Sequence, residues 1–219
     1  MTRDDHFLTI ALGSRADLEW AQQTVVQHHY LQQRVHYQAR PWVYVIRYGE
    51  QRLGLVMVAL PHATVNGDWW GGAGRPTQWQ VVDLCRIWLD GRLQRGGAWC
   101  RAGIVPGFVD RKGQWQPSTA TWAIQAVLAR IQRDWVSLNP PVYPDQPYHV
   151  RLVVSYHNPL FHAGTIYRQS RAIPMYTDER GNPAPSPSSG KFGWCWRLPE
   201  PAWTWEDIEI IRPRTMRLF

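Results

Sequence analysis

The stretch "RLGLVMVAL", residues 52 to 60, limits the fold more than any other part of this sequence. After its arginine it contains no polar side chain, which is typical of a strand that is buried on both faces of a sheet. The stretch "WVYVIRY", residues 42 to 48, precedes it, and Gly49, Glu50 and Gln51 separate the two. This spacing predicts a β-hairpin. A sheet with such a strand needs packing elements on both faces, so we expect flanking helices.

The rest of the chain alternates between helix and strand patterns. Ser14 and Asp17 have the spacing of a capping box, and they begin an amphipathic helix that ends near His28 and His29. Further strands are predicted at "VVDLCRIWLD" (81–90), at "VRLVVSY" (150–156) and over 173–176, and further helices from Ser118 and over 164–171. This order predicts an α/β fold with a sheet of mixed direction.

The length of 219 residues suits one sizeable core, and no flexible tether interrupts the middle of the chain. We predict a catalytic domain over residues 1–179 and a Pro/Ser/Gly-rich loop or linker, "RGNPAPSPSSG", over 180–190. Residues 191–219 are predicted to form a C-terminal extension, with an extended segment and a short helix that starts near Thr204.

The formal charge of +7 comes from arginine, because Lys112 and Lys191 are the only lysines in the sequence. Guanidinium groups suit planar phosphates and carboxylates, so an anionic partner is favoured, although a merely soluble basic surface has the same composition. The chain also has 14 tryptophans, several of which stand beside Arg, Gly or Pro. Such rings either stack on nucleobases or pack beneath long loops.

The cysteines and the apolar segments bear on location. Cys85, Cys100 and Cys195 are widely spaced and form no C-x-x-C pair, which is typical of a reducing compartment and of neither a zinc knuckle nor a disulfide framework. No signal-peptide pattern follows Met1 and no long uncharged apolar span appears, so we expect a cytoplasmic protein without membrane contact. The eight histidines show no compact metal-ligand spacing, and no metal site is predicted.

Two features point to a chemical site. Arg86 stands in the middle of an otherwise apolar strand, where a guanidinium must pair with a carboxylate, such as Asp83 or Asp90, or face a ligand anion. The stretch "VVSYHNPLFHAGTIYRQS", residues 153 to 170, ends a strand in a run of hydrogen-bonding side chains. This run is either an ordinary polar loop or one wall of a binding cleft.

Four pieces of the chain resemble the GNAT acyltransferase superfamily and, within it, the Mom-like proteins that modify phage DNA. They are "HHYL" (28–31), "GEQRLGLVMVALP" (49–61), "LCRIWLD" (84–90) and "VSYHNPLFHAGTIYR" (154–168). The similarity spans the chain from Thr24 to Arg180. It implies a GNAT-like mixed sheet, flanked by helices, in which two central parallel strands splay apart and a pantetheine cofactor lies between them.

The resemblance also implies chemistry on DNA, because Mom-like proteins convert the N6 amine of adenine into a carbamoylmethylated amine. The residues that match the family's motifs, and that would be catalytic, are His29, Tyr30, Arg86, Ser155, Tyr156 and Tyr167. The base would have to be flipped out of the duplex and held between aromatic faces. Tyr30, Tyr156 and one or two loop tryptophans are the candidates for those faces.

Several matching residues also have a plain structural explanation. His29 removes a proton from the amine, or it satisfies the end of a helix. Tyr167 donates a proton to a leaving group, or it bonds to a backbone carbonyl, and Ser155 contacts substrate or caps a turn. The relatives often carry an Asp soon after the Ser-Tyr pair, where this chain has His157 and Asn158. The resemblance therefore assigns no base at that position.

The donor of the transferred group is not identified by the sequence. Acyl-CoA users of this fold carry Arg/Gln-x-x-Gly-x-Gly/Ala directly before a helix, since closely spaced backbone N–H groups bind pyrophosphate. The loop "RLQRGG", residues 92 to 97, lacks that spacing, and a long segment separates it from the next predicted helix. The candidate cofactor-binding residues are Arg92, Arg95, Gly96, Gly97 and Ser118. An acyl-CoA-type donor is one candidate.

The sequence thus predicts a GNAT-like transferase that acts on adenine N6 in DNA and protects the DNA from nucleases, in the host cytoplasm if the gene belongs to a phage. One rival is a conventional GNAT acyltransferase that uses acyl-CoA on a protein or a small amine. The other is a non-catalytic module that holds single strands with its arginines and tryptophans.

Overall fold

The computed structural model describes residues 8–36, 39–61, 80–94, 96–103, 105–109, 112–138 and 149–200. The strands of this part are β1 (Leu8–Leu12), β2 (Trp42–Tyr48), β3 (Gln51–Ala59), β4 (Val81–Leu89), β5 (Gly107–Val109), β6 (Trp115–Pro117), β7 (Leu152–His157), β8 (Ile173–Pro174) and β9 (Phe192–Arg197). The helices are α1 (Arg15–His28), α2 (Ala98–Arg101), α3 (Thr119–Leu128), α4 (Ile131–Leu138) and α5 (Thr165–Gln169).

Seven of these strands form one mixed sheet in the order β1-β2-β3-β4-β7-β9-β8, and β5 and β6 form a separate ribbon. The first four strands pair antiparallel, β4 and β7 pair parallel, and β9 pairs antiparallel with both β7 and β8. The predicted hairpin is β2 and β3, with Trp42 opposite Val58 and Tyr48 opposite Gln51. The predicted α/β class with a sheet of mixed direction is confirmed.

The parallel strands β4 and β7 pair over a short length. Their ladder runs from Val81 opposite Leu152 to Asp83 opposite Val154, although both strands continue well beyond it. Just past this point the register between β3 and β4 shifts, which marks a bulge. A bulge bends its strand, so β4 turns away from β7 toward the carboxyl ends of both. The GNAT-like splay of the central parallel strands, predicted from the sequence, is confirmed.

The strand β3 lies in the middle of the core, as its apolar sequence predicts. Successive side chains of a strand point to opposite faces of the sheet. On one face Leu55 belongs to the same buried cluster as Val25 of α1. On the other face Val56 belongs to a larger buried cluster with Ile124 of α3 and Trp135 of α4. Helices therefore cover both faces.

The predicted capping box begins α1. The Ser14 hydroxyl accepts a hydrogen bond from the N–H of Asp17 at 3.2 Å, and the Asp17 carboxylate accepts one from the N–H of Ser14 at 2.9 Å. The helix ends at His28, and the buried amide of Gln22 then exchanges two 2.8 Å hydrogen bonds with the backbone of Val35. These bonds hold the segment after α1 against the helix, and that segment carries two predicted site residues.

Part of the predicted C-terminal extension lies inside the sheet. Phe192–Arg197 is β9, between β7 and β8, so residues 180–190 connect two strands of the domain and do not lead out of it. The predicted boundary after residue 179 therefore moves toward the C-terminus. A Pro/Ser/Gly-rich stretch directly precedes the short strand, and this composition conceals it in the sequence. The helix expected near Thr204 lies outside the described residues.

Other elements differ from the sequence-based prediction because tertiary contacts decide them. The helix predicted from Ser118 is divided into α3 and α4 at residues 129–130. No pattern predicted β1, which exists as a strand through its pairing with β2 along its whole length. None of the helices in the described ranges is long and apolar enough to cross a membrane.

Candidate active site between the splayed strands

A cavity of about 370 Å³ opens where β4 and β7 diverge. Its walls come from the end of α1, the second half of β4, the end of β7 with the loop after it, and α5. All six residues predicted to be catalytic line it: His29, Tyr30, Arg86, Ser155, Tyr156 and Tyr167. These residues come from three stretches of the chain, 29–30, 86 and 155–167, and the splay brings them together.

Ser155 stands at the start of the splay. The β4–β7 ladder stops at Asp83 and Val154, so Leu84 and Ser155 are the first residues beyond it. The Ser155 hydroxyl donates a hydrogen bond of 2.7 Å to the carbonyl oxygen of Leu84. A side chain thus replaces the backbone donor that a continued ladder would have supplied. The same hydroxyl oxygen lies 3.2 Å from the phenol oxygen of Tyr167.

The number of available protons sets the direction of the contact between Ser155 and Tyr167. A serine hydroxyl has one proton, and Ser155 uses it on the carbonyl of Leu84, which can only accept. Tyr167 is therefore the donor to Ser155, and its own lone pairs are left to accept a hydrogen bond from a molecule in the cavity. Its proton is not available for a leaving group, which was one of its predicted roles. Burial raises the pKa of Tyr167 to about 12, so the phenol stays protonated.

Stacked rings hold Tyr167 in place. Its ring lies on His157 with centroids 5.3 Å apart and on Trp194 of β9 with centroids 5.6 Å apart. The indole N–H of Trp194 donates to Nδ1 of His157 at 2.9 Å. Because β9 supplies Trp194, a strand assigned from the sequence to the C-terminal extension supports the cavity.

Arg86 is paired with no carboxylate of the described residues. Its Nη1 donates to the carbonyl oxygen of Cys85 at 2.6 Å, and its buried Nε has no partner there. Asp90, one of the two predicted partners, binds Arg92 at 2.8 Å instead. Asp83, the other, forms no ion pair with Arg86. The guanidinium lines the cavity, so the prediction that it faces a ligand anion fits better than the prediction of a structural ion pair.

The buried carboxyl group of Asp83 adds a second unsatisfied polar group beside the cleft. Its Oδ1 has no hydrogen-bond partner among the described residues. Burial raises the pKa of Asp83 to about 7, against the lowering effect of the charges on Arg86 and Lys191. Burial and the nearby Asp83 charge raise the pKa of Tyr156 to about 12. Unsatisfied buried groups and shifted pKa values at one cleft are typical of a functional site.

His29 is a hydrogen-bond donor in its neutral form. Its Nδ1 accepts from the backbone N–H of Leu31 at 3.2 Å, so the proton of the neutral ring is on Nε2. Burial, and then the charges of Arg86 and His162, lower the pKa of His29 to about 4, so the ring is neutral at pH 7. Such an imidazole has no free lone pair. His29 is therefore unsuited to its predicted role as proton acceptor.

Aromatic and apolar side chains surround the mouth of the cavity. Tyr30 packs on His29 with ring centroids 4.4 Å apart and stacks on Phe161 at 4.7 Å. His162 meets Tyr30 edge-on at 5.0 Å. Phe161 is 57% exposed, and its neighbour Leu160 is 84% exposed. The loop after β7 thus presents two large apolar side chains beside the entrance.

Two histidines of the cavity, His157 and His162, are absent from the residues predicted to be catalytic. Both lie in the polar stretch 153–170 that the sequence singles out. The alternation of β7 could have identified His157, which falls on the same face of the strand as Ser155. Among the residues that the structure describes, no three His, Cys, Asp or Glu side chains are grouped so as to hold a metal ion.

The loop tryptophans expected to hold a base do not line the cavity in the described part of the chain. Trp99 packs edge-on against Tyr48 with centroids 5.0 Å apart, and the guanidinium of Arg92 lies over its ring at 5.6 Å from the centroid. This matches the packing role that was the alternative for such rings. Trp69 and Trp70 lie outside the described residues.

The predicted cofactor loop is folded on itself. The N–H of Arg92 donates to the Asp90 carboxylate at 2.9 Å, and the N–H of Gly97 donates to the carbonyl of Gln94 at 2.8 Å. A Cβ at Gly97 would lie 2.3 Å from the carbonyl oxygen of Gly91, so this glycine is needed by the loop itself. The helix that follows, α2, has four residues. In the described part of the loop, the N–H groups of Arg92 and Gly97 are thus engaged within the loop and are not free for a pyrophosphate.

Ser118 serves as the N-cap of α3. Its hydroxyl accepts from the N–H of Thr121 at 3.3 Å and donates to the hydroxyl of the same residue at 2.9 Å. The described cofactor candidates, Arg92, Gly96, Gly97 and Ser118, do not line the cavity, and Arg95 lies outside the described residues. The pyrophosphate of an acyl-CoA-type donor in this cavity would need partners other than these described residues.

No protein-family model and no curated protein matches the chain. Similar solved structures include yncA of Salmonella typhimurium with acetyl-CoA, at 11% identity and a TM-score of 0.48, covering 90% of this chain and 96% of that one. The aminoglycoside acetyltransferase AAC(6')-Ib with coenzyme A has 13% identity and a TM-score of 0.47, over 87% and 94% of the two chains. FeeM, an N-acyl amino acid synthase from uncultured soil microbes, also has 13% identity and a TM-score of 0.47. The match covers 88% of this chain and 93% of FeeM. At such identities the likeness assigns no role to any residue of this chain.

Proposed function

We propose that this protein is a transferase that adds a group to the exocyclic amine of adenine in DNA. The observation that carries the proposal is the convergence of six side chains on one cavity. They come from three separate stretches of the chain, 29–30, 86 and 155–167, and each was matched from sequence alone to a motif of DNA-modifying relatives. Six unrelated residues would be expected to scatter over the sheet.

The polar groups of the cavity suit an uncharged amine on a planar ring. Tyr167 is left to accept an N–H, because its own proton is committed to Ser155. Neutral His29 offers the N–H of Nε2 to an acceptor. Adenine presents the matching pair, since its N6 amine donates and its ring nitrogens accept. Tyr167 would thus orient the amine while His29 holds the ring.

Arg86 is available for an anionic part of the donor or of the DNA backbone. Its Nε is buried without a described partner, and a desolvated guanidinium gains strongly from an anion. When bound, an activated donor would supply the electrophilic carbon for the amine, and Arg86 would stabilise negative charge that develops on the leaving group.

The surface also supports a nucleic-acid partner. The chain carries a formal charge of +7, supplied almost wholly by arginine. Leu160 and Phe161 stand exposed beside the cavity mouth. Proteins that take a base out of a duplex often insert an apolar side chain into the stack. These two residues match that need in chemistry and exposure.

Mass spectrometry of nucleosides from the DNA of expressing cells tests the proposal. Wild-type protein should produce a new adenosine derivative, and its mass identifies the transferred group. The Arg86→Gln variant should reduce the derivative about 100-fold or more. Arg133→Gln, which changes an exposed arginine of α4 away from the cavity, should leave it unchanged. Unmodified DNA from soluble wild-type protein would reject the proposal.

A conventional N-acyltransferase is the second candidate, and the splay between β4 and β7 favours it, because the gap can admit a thioester donor. The internal hydrogen bonds of the Arg92 and Gly97 N–H groups speak against tight binding of the donor's pyrophosphate by these two residues. Turnover of acetyl-CoA with small amines, in the absence of DNA, would establish this candidate. If the Arg86→Gln variant keeps this acetyl-CoA turnover, the result would further favour the conventional acyltransferase over the DNA-modifying transferase.

A further inference from the structure

Three histidines line the cavity, and the structure commits two of them as donors. Nδ1 of His29 accepts from the backbone N–H of Leu31, and Nδ1 of His157 accepts from the indole N–H of Trp194. A backbone N–H and an indole N–H can only donate. The neutral rings of His29 and His157 therefore carry their protons on Nε2, and neither ring keeps a lone pair that could take up a proton.

His162 differs from both. It lines the same cavity, and no hydrogen bond with the described chain occupies its ring nitrogens. Its neutral ring therefore keeps one free lone pair in either tautomer. Burial lowers the pKa of His162, so the ring is neutral at pH 7.

The loop that carries His162 is held by its own hydrogen bonds. The backbone N–H of His162 donates to the carbonyl of Asn158 at 3.1 Å, and the side chain of Asn158 accepts from the N–H of Leu160 at 3.0 Å. Arg168 of α5 donates to the carbonyl of Ala163 at 2.5 Å. The ring of His162 also rests edge-on against Tyr30. These contacts fix the position of the His162 imidazole at the cavity.

We propose that His162 is the catalytic base, which takes the proton from the acceptor amine. The proposal rests on the transferase function proposed above. The amine nitrogen forms a bond to the electrophilic carbon of an activated acyl or alkyl donor. The bond from that carbon to the leaving group breaks, and its electron pair goes with the leaving group. One N–H proton of the amine moves to the free ring nitrogen of His162, and the imidazolium then passes it to the leaving group or to water.

The groups around His162 suit such a transient charge. Arg86 and His162 both lower the pKa of His29, and burial lowers the pKa of His162 itself, which disfavours a lasting imidazolium there. The other titratable groups that line the cavity are His157, Tyr30, Tyr156, Tyr167 and Cys85. Burial raises the pKa of Tyr30, Tyr156 and Cys85, so all three are protonated and neutral at pH 7. Tyr167 cannot take the proton, because it is a neutral phenol. Tyr167 donates to Ser155, and Ser155 donates to the carbonyl oxygen of Leu84. A backbone carbonyl accepts a hydrogen bond but is too weak a base to take up a proton, so this chain of hydrogen bonds carries no proton away. His162 is then the remaining acceptor among the described cavity residues.

The tautomers of the histidine rings can be measured directly, and this measurement tests the proposal without an assay of group transfer. Long-range proton–nitrogen NMR of the labelled full chain should show Nε2–H tautomers for His29 and His157, with signals assigned through His29→Gln and His157→Gln. Diethyl pyrocarbonate should modify His162 faster than either of them, as followed by peptide mass spectrometry. An Nδ1–H tautomer at His29 would return the free Nε2 to that residue and overturn the proposal.

The second measurement is the modified adenosine in the DNA of expressing cells. His162→Gln should lower it about 100-fold, a typical effect of losing a general base. The control His28→Gln, on the last residue of α1, should leave it unchanged. Unchanged DNA binding by purified His162→Gln would show that the loop is intact, and full modification by this variant would overturn the proposal. If wild-type protein itself modifies no DNA, the proposed function fails, and the nitrogen spectra and reagent rates still decide the state of His162.

Discussion

The hydroxyl of Ser155 donates a 2.7 Å hydrogen bond to the carbonyl oxygen of Leu84, at the first position where β4 and β7 no longer pair. This bond has two consequences. It satisfies a carbonyl that the splay would otherwise leave buried without a donor. It also determines that Tyr167 donates to Ser155, and so presents its lone pairs to the cavity. One side chain thus links the opening of the sheet to the polarity of the candidate site.

Ser155→Ala should therefore affect both stability and transfer. The substitution leaves the carbonyl of Leu84 unsatisfied and Tyr167 without its acceptor, which should cost about 1–3 kcal/mol in the free energy of unfolding. Urea denaturation measures this cost. Ser189→Ala, in an exposed turn, should stay within about 0.5 kcal/mol of wild type. Equal stability of the two variants would contradict the structural role assigned to Ser155.

Arg86→Gln should lower activity with little change in stability. Its guanidinium has no carboxylate partner in the described chain, so the substitution breaks no ion pair. Arg130→Gln is the matched comparison, because Arg130 holds the buried carboxylate of Asp134 through contacts of 2.6 and 3.3 Å. We expect a loss of about 1 kcal/mol or more for Arg130→Gln and less than about 0.5 kcal/mol for Arg86→Gln. The reverse order in urea denaturation would make Arg86 a structural residue.

The fold was largely predictable because its central elements have strong local patterns. The continuous apolar run of β3 and the capping box at Ser14 specify their own structure. β1 and β9 are short, and their strand character comes from neighbours in the sheet, which a local reading of the sequence does not contain. The division between α3 and α4 likewise follows from packing.

The sequence predicted six residues that the structure places at one cavity, and their roles remain predictions. The residues were found through motifs, and the cavity unites the six that were expected. Roles depend on hydrogen-bond direction, which sequence cannot supply. His29 is committed as a donor by the N–H of Leu31, two residues along the chain, and Tyr167 by Ser155 on another element. His162 is the candidate base because Nδ1 of His29 and Nδ1 of His157 already accept hydrogen bonds from other groups.

The buried Asp83 should make stability fall as the pH rises from about 4 to about 7. Burial raises its pKa in the folded protein to about 7, whereas the unfolded chain has the ordinary value. Between these values the folded state binds more protons than the unfolded state, so stability decreases with pH. Asp83→Asn should be more stable than wild type at pH 8, by about 1 kcal/mol or more, with the difference shrinking toward pH 4. Urea denaturation at several pH values measures the difference in the free energy of unfolding between the two proteins. If this difference does not change with pH, the titration of Asp83 does not cause the pH dependence of stability.

Gly164→Ala should cost more stability than Gly190→Ala, although both glycines have nearly the same backbone. Their φ angles are +68° and +67°, so an alanine at either site carries the same left-handed strain, about 1–2 kcal/mol. At Gly164 the new Cβ would also lie 2.7 Å from Cε1 of His157, whereas nothing lies within 4 Å at Gly190. The contact should add about 1–3 kcal/mol and displace the ring that stacks on Tyr167. Thermal or urea unfolding of the pair isolates that contact, and equal costs would show that His157 can move aside freely.

Leu160→Ala should weaken the opening of a DNA duplex while leaving the fold intact. The side chain is 84% exposed, so its loss should change the free energy of unfolding by less than about 0.5 kcal/mol. If Leu160 enters the base stack, wild-type protein should raise the fluorescence of 2-aminopurine placed at adenine positions of a duplex, because unstacking relieves its quenching. Leu160→Ala should reduce this rise several-fold, yet bind single-stranded DNA as wild type does. Val26→Ala, on an exposed apolar residue of α1, is the control and should behave as wild type. An undiminished fluorescence rise with Leu160→Ala would mean that this loop takes no part in extracting the base.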